Sequence, residues 1–503
     1  MLICQLILNL RKIMYKHKLL SIFVIFIFSI KLKAQTIEFG QPIKVKSKIN
    51  YTQIIGSNEQ GSFLIRCRDN SFKKEVVIEK YNAKLTLDLS KEITLGIPAL
   101  IEKVILINQQ IYVFVTAKNN TTNKIDFLVQ KFDMNFNLSG GMVLLASIDE
   151  FLIGDNLNLS IKNSINKKFF SVSFIGKASQ NNKEKSALYL FGFDAGLTQI
   201  YGKTFEINER IADIETTNSD IDNDGNYLTL LDFPKPNKIR KRNNDRKFVM
   251  YVFYNANQTM LEYDIAQPNV TIDDIGFVLN NIKKQINLIG FYAEEEQKDN
   301  KGYFYQTIDL TNTSIKINKL DSVSLNVLKD RISFSKTMDL NDLYIRKIIP
   351  RSDGGLFLIA EKYFLTRQSY TYYVNGFPQT NTRTVYNYND VMLLSITADG
   401  LLENGDVVNK EQQSISDGGY YSSICSYINN DAIYTIYNAD VSQEGDVLMN
   451  KFDVKGKSEN KILVKAINAS LLIIPTDCKQ ISANSLLACT IRDKRFTLMR
   501  ITF

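Results

Sequence analysis

Lys451-Phe452-Asp453-Val454-Lys455-Gly456 ends an alternating apolar strand on an aromatic, follows it with a short polar residue, and then turns. The same cadence recurs at Lys80-Tyr81-Asn82, Lys131-Phe132-Asp133, Gly192-Phe193-Asp194, Phe253-Tyr254-Asn255, Thr307-Ile308-Asp309, Ser395-Ile396-Thr397 and Arg500-Ile501-Thr502, eight occurrences in all. The central residues are separated by 51, 61, 61, 54, 88, 56 and 49 positions. Upstream of most of them a polar turn, often with Gly, opens another apolar strand. Examples are Gly61-Ser62-Phe63-Leu64-Ile65, Gln110-Ile111-Tyr112-Val113-Phe114, Gly355-Leu356-Phe357-Leu358-Ile359 and Ser485-Leu486-Leu487-Ala488.

Short alternating strands bounded by Asn, Asp and Gly are hairpin signals. No segment carries a long 3.6-residue apolar period, so the chain reads as all-β. A unit that returns every fifty to sixty residues, in a long chain without a Pro- or Ser-rich linker, reads as a β-propeller rather than a sandwich. The termini decide how it would close. A complete unit continues past its aromatic-ended strand to a final strand, as at Leu85 to Leu95 or Lys461 to Lys465, but the eighth unit stops at Phe503. At the other end, Thr36 to Val45 (TIEFGQPIKV) is a strand with no unit before it. Laid on the last unit, it pairs an edge that otherwise offers unsatisfied backbone groups to other chains. The expectation is a single closed β-propeller of eight blades, its N-terminal strand completing the last blade; the count is seven if one irregular unit is not a blade.

The Asp-x-x-Gly-x-Tyr-Leu cadence, followed by a strand ending in Phe-Asp-x-x-Gly, resembles secreted β-propeller repeat proteins of Gram-negative bacteria. Arg351 to Tyr421, from GGLFLIAEKYF through a Tyr-rich insert to DVMLLSITADG and DGGYYSS, is similar to a narrower group of exported proteins among them. The resemblance implies a propeller and export, and no assigned activity. Several units here lack the turn glycines of that pattern.

Arg11, Lys12, Lys16 and Lys18 precede the apolar run Leu19 to Ile30, and a small residue, Ala34, follows. This is the pattern of a secretory signal peptide over residues 1–34, and the run is too short to span a membrane. Residues 35–503 would then form the propeller domain, in the periplasm or secreted. Removing the leader takes away six basic and no acidic side chains, so the formal net charge of +8 falls to +2. That leaves no field for nucleic acid. The one histidine, His17, goes with the leader. A Ser-His-Asp triad, a Cys-His pair and a His-ligated zinc are therefore excluded from the remaining chain. Cys67, Cys425, Cys478 and Cys489 fit no metal or redox spacing and read as free thiols, with a Cys478–Cys489 bridge as the alternative.

Two stretches are candidate sites. Asp220, Asp222, Asp224 and Gly225 form D-x-D-x-D-G, the opening of a calcium loop, but Leu231 stands where such a loop places its bidentate Glu. The alternative is ordinary turn chemistry. The 88-residue spacing marks an insertion at about 364–390 that carries Tyr370, Tyr372, Tyr373, Phe377, Tyr386 and Tyr388. Tyr offers large, fairly rigid contact area with a polar tip, suited to a protein or glycan partner; the plain alternative is a long hairpin whose tyrosines pair across strands. The basic run Lys235 to Lys247 and the acidic Glu294-Glu295-Glu296 read as solvated loops. The preferred expectation is a monomeric, non-enzymatic binding or scaffold module with no cofactor. The alternatives are a carbohydrate-active propeller using Asp and Glu, and a calcium-stabilised repeat protein.

Overall fold

The computed structural model describes residues 35–44, 51–67, 75–153, 157–180, 185–211, 214–234, 246–294, 299–322 and 340–503. The leader, Val45, most of the Lys235 to Lys247 run, Glu295 and Glu296 lie outside them. The described residues form eight antiparallel sheets and no α-helix; six sheets have four strands and two have five.

Six sheets are meanders of four consecutive strands; the sixth and eighth carry an extra strand. In the eighth, Thr36–Phe39 pairs with Arg495–Thr502 in the register Thr36 opposite Thr502, Ile37 opposite Ile501, Glu38 opposite Arg500 and Phe39 opposite Met499. The Gly40 and Ile43 amides continue the ladder to the Leu498 and Phe496 carbonyls, both at 2.8 Å. The chain's first strand therefore completes its last sheet, as the two termini suggested.

The recurring cadence has a physical cause at each half. The strand-ending residues Tyr81, Phe132, Phe193, Tyr254, Ile308, Ile396, Phe452 and Ile501 are all buried, wedged between adjacent sheets. Full burial of a side chain of this size contributes about 1.5–3 kcal/mol. The polar residue after it builds an Asx turn. Oδ1 of Asn82, Asp133, Asp194 and Asp453 accepts the amides two and four residues on, for example 2.9 and 2.8 Å from Lys455 and Lys457. The residue three places on takes a positive φ. Gly400 and Gly456 serve that position in two sheets, whereas Leu85, Phe136 and Leu197 occupy it in three others with φ of 56, 63 and 72°. That conformation costs a non-glycine residue about 1–2 kcal/mol, and burial of these three side chains in the core offsets it. The missing turn glycines are explained by this exchange.

Eight apolar clusters lie between sheets, and each joins two of them. In chain order they join first to second, second to third, and onward to seventh and eighth. The remaining cluster sets Ile54, Leu64 and Tyr81 of the first sheet against Leu487, Cys489, Phe496 and Leu498 of the eighth. The initial strands of the sheets are Tyr51–Asn58, Leu100–Ile107, Ser160–Asn163, Glu215–Ile221, Val270–Asn280, Leu343–Pro350, Cys425–Ile428, and the split pair Leu472–Ile473 and Lys479–Ser482. Initial strands of neighbouring sheets approach one another, which makes them the inner wall of a β-propeller. The sequence signatures missed this strand of every unit. The final strands, such as Leu87–Glu92 and Ser458–Val464, are the most polar and the most exposed.

Candidate functional site

The insertion in the sixth sheet is a hairpin of Leu356–Val374 and Phe377–Ile396. Asn375 and Gly376, at φ of 51 and 85°, make its two-residue turn, the geometry that matches strand twist. Pairing across it separates the six aromatics into two faces. Tyr370 and Tyr372, with rings 6.0 Å apart, share one face with Phe377, and Arg383 lies over the Tyr370 ring at 5.7 Å. Tyr373, Tyr386 and Tyr388 belong to the other face. Six of the twenty exposed large hydrophobics among the described residues fall within 365–377, with Tyr373 at 72% and Phe377 at 71% exposure. Contiguous exposed apolar clusters of this kind are uncommon on protein surfaces. Residues 363–389 contain two arginines and no carboxylate.

An isolated hairpin is marginal in water, so the root has to hold this one. Gln412–Ile415 adds a third strand against Val385 to Tyr388. Beneath it, Glu361, fully buried, stands 2.9 Å from Lys410 Nζ and 2.7 Å from Arg346 Nε, and accepts the Ser423 hydroxyl at 2.6 Å. Lys410 also donates to the Tyr388 carbonyl and to Gln412, and Gln412 reaches the Asn438 carbonyl of the seventh sheet. Arg346 stacks over both Tyr363 and Tyr388, and burial pushes the Tyr388 hydroxyl up to about 12. Tyr388 is thus part of the root, whereas Tyr370, Tyr372, Tyr373 and Phe377 occupy the projecting end.

The aspartates of D-x-D-x-D-G are engaged separately. Asp222 is an Asx-turn residue like those above: Oδ1 accepts the Asp224 and Asn226 amides at 2.9 and 2.8 Å, and Oδ2 accepts the Asn226 side chain. Asp224 pairs with Lys284 at 2.7 Å. Asp220 faces the inner wall, where burial raises its pKa. Among the described residues no group of three His, Cys, Asp or Glu is placed to hold a metal ion. Among the described residues, Cys425, Cys478 and Cys489 form no disulfide. Cys478 neighbours Cys425 rather than Cys489, and that contact together with burial raises its pKa.

Sequence reasoning missed the inner wall, where four lysines gather. Lys103, Lys162, Lys347 and Lys479 stand on initial strands of the second, third, sixth and eighth sheets. Each ammonium donates one bond to the initial strand of the next sheet: to the Ile161 carbonyl, to Asn218 at 3.3 Å, to Ser426 at 3.1 Å and to the Ile55 carbonyl at 2.9 Å, respectively. Asp220, Asp273 and Asp274 are carboxylates of the same wall, with Glu102 and Glu215 also on its strands, and Asp274 accepts the Ile345 amide at 2.7 Å.

Asp477 lies in the 3-10 turn that splits the eighth sheet's initial strand, and burial pushes its carboxyl up to about 7. Oδ1 accepts the Thr476 hydroxyl at 3.2 Å, while Oδ2 has no hydrogen-bond partner among the described residues. Its charge bears on Tyr51, Tyr420 and Cys489. A folded-state pKa above the unfolded value of about 3.9 means the folded protein holds the proton more tightly. The stability that this proton contributes is full at acid pH and lost as pH rises through about 7. Urea unfolding should therefore show stability falling by up to about 4 kcal/mol between about pH 4 and pH 8 from this group. Asp477→Asn should flatten that slope, and an unchanged slope would refute the assignment.

No helix among the described residues is long and apolar enough to cross a membrane. No protein-family model and no curated protein matches the chain. Among solved structures it is similar to Sqt1 from Chaetomium thermophilum, at 7% identity over 92% of this chain and 98% of that one, with a TM-score of 0.43. It is also similar to the WD40 domain of SCAP from fission yeast, at 9% identity over 93% and 98%, with a TM-score of 0.40. An apocarotenoid oxygenase from Synechocystis follows at 8% identity over 71% and 74%, with a TM-score of 0.34. Likeness of this size leaves architecture and function to the chain's own residues.

Proposed function

We propose that the chain is an exported, monomeric, non-enzymatic binding module. In this reading it is a closed eight-bladed propeller of residues 35–503 that presents the sixth blade's hairpin to a partner protein with an acidic surface. Eight sheets with eight intervening clusters, the last joining eighth to first, support closure. The observation that carries the function is the exposed aromatic end of a hairpin rooted on the buried Glu361–Lys410–Arg346 network. An apolar projection held this firmly would otherwise be an aggregation liability. Arg367 and Arg383, with no carboxylate between residues 363 and 389, select an acidic counterpart. A carbohydrate-cleaving reading would draw on Asp220 and Asp274 of the inner wall. The Asp274 hydrogen bond to the Ile345 amide and the surrounding lysines disfavour it.

The test is photo-crosslinking in producing cells from a reactive residue at Phe377, with Ile282, an exposed residue outside the hairpin, as control. The expected result is one protein adduct from position 377, joined through an acidic peptide and lost in Arg367→Glu/Arg383→Glu. Equal labelling from both positions, or an adduct indifferent to the charge reversal, would overturn the reading.

A further inference from the structure

We propose that the inner wall of the propeller is a binding site for a small ligand carrying two or more oxyanion groups, carboxylate or phosphate, held by Lys103, Lys162 and Lys479, with Lys347 a further cation elsewhere on the same wall. These residues lie far apart in sequence, and only the packing of initial strand against initial strand gathers them.

Three features point to a ligand. First, each ammonium spends one bond on the next inner strand. An ammonium has three donors, so every lysine is positioned by the protein with donors to spare. Second, the charges do not balance around Lys103, although carboxylates and cations are equal in number along the initial strands as a whole. Lys103 is close enough to Lys162 and Lys479 for each to weaken its hold on a proton, and Asp220 is the carboxylate that opposes them. Asp274 is capped by the Ile345 amide, Glu102 accepts the Thr116 hydroxyl, and Arg346 turns away to Glu361. Third, Lys347 and Lys479 remain open to water although protein surrounds them on most sides, and burial still lowers the pKa of both. That combination describes a wet, walled channel, where field lines are focused and a multivalent anion gains most. The bulge in the strand Leu100–Ile107 lies next to Lys103 and that in Leu343–Pro350 next to Lys347. Bulges of this kind re-aim a side chain.

The titration of Lys103 supplies a signature that a surface site would lack. Burial first, and then Lys162 and Lys479, bring its pKa down to about 8, against the partial support of Asp220. Anion affinity should therefore begin to fall between about pH 7 and pH 9, below the ordinary lysine range near 10.4.

The experiment is calorimetric titration of the purified protein with citrate and, separately, inorganic pyrophosphate. It is repeated at both pH values and on Lys103→Met/Lys162→Met. The expected result is one site per chain for at least one probe, weakened about tenfold or more by the double substitution and by the higher pH. Preference for citrate would name a polycarboxylate ligand, and preference for pyrophosphate a phosphate-bearing one. The double variant removes two mutually repelling charges but also the cations beside Asp220, so its melting temperature is read alongside, and binding is scored only where the variant remains folded, which separates lost binding from lost folding. No binding of either probe at low salt, or binding that survives the double substitution, would overturn the proposal. Replacing residues 367–384 by Asn-Gly, which joins the paired Thr366 and Val385 through a two-residue turn, should leave it untouched, so the hairpin reading and this one fail separately.

Discussion

Glu361→Ala is expected to unfold at much lower urea concentration than the parent, a loss of roughly 3–5 kcal/mol. Glu361 is fully buried and is contacted by Lys410 Nζ, Arg346 Nε and the Ser423 hydroxyl. The Lys410 side chain is 1% exposed, so truncating its partner leaves a cation that water cannot reach, with Arg346 close by and of the same sign. The penalty comes from that stranded charge rather than from the pair's net worth, which for buried ion pairs is often near zero. A paired replacement, Glu361→Leu with Lys410→Met, should therefore recover much of the loss. If Glu361→Ala alone costs under about 1 kcal/mol, the network is solvated and the hairpin is not rooted as described.

Deleting residues 35–44 is expected to cost about 3–5 kcal/mol and to make the protein self-associate. Ile37 and Phe39 pack on the cluster between the seventh and eighth sheets, and the Gly40 and Ile43 amides extend the ladder along Arg495–Thr502. Without them that strand becomes an edge with open donors and acceptors. Phe503, stacked on Tyr427 at a centroid distance of 3.8 Å, would remain with Met499 and Ile501 to tie the last strand to the seventh sheet. Urea denaturation with size-exclusion chromatography reads both effects. A truncated protein that stays monomeric with an unchanged midpoint would show that the strand closes nothing.

The strand-ending aromatics and their Asx turns were legible because two local forces coincide there, burial between sheets and a side-chain oxygen held by backbone amides. The place of Thr36–Phe39 on the eighth sheet was legible because unpaired edges are costly. The initial strands were not. Bulges at Ile55, Glu102, Thr217, Asp273 and Arg346 each break the alternation on which a period-two reading depends. Ser160–Asn163 and Cys425–Ile428 are four residues long, and the eighth is split by Pro475–Asp477. The inner-wall lysines were invisible for a related reason: one Lys on a strand, whether the short polar Ser160–Asn163 or the apolar Leu100–Ile107, reads as a solvated position until other strands surround it. The hairpin tyrosines were visible by composition, but their division between root and projecting end depends on the register Tyr363 opposite Tyr388. Asp222 fits D-x-D-x-D-G equally well as ligand or turn. In the structure its Oδ1 accepts the Asp224 and Asn226 amides, the turn arrangement.

Glu38 and Arg500 face each other across the junction of first and last strands and form a 3.0 Å ion pair. Directly opposed residues in an antiparallel pair hold their Cβ atoms about 4.5–5.5 Å apart, near disulfide range. Mild oxidation of Glu38→Cys/Arg500→Cys should give an intramolecular bridge in nearly every molecule and a higher melting temperature, the chain being covalently tied end to end. Intermolecular dimers, or thiols that stay free in the folded protein, would contradict the circular arrangement.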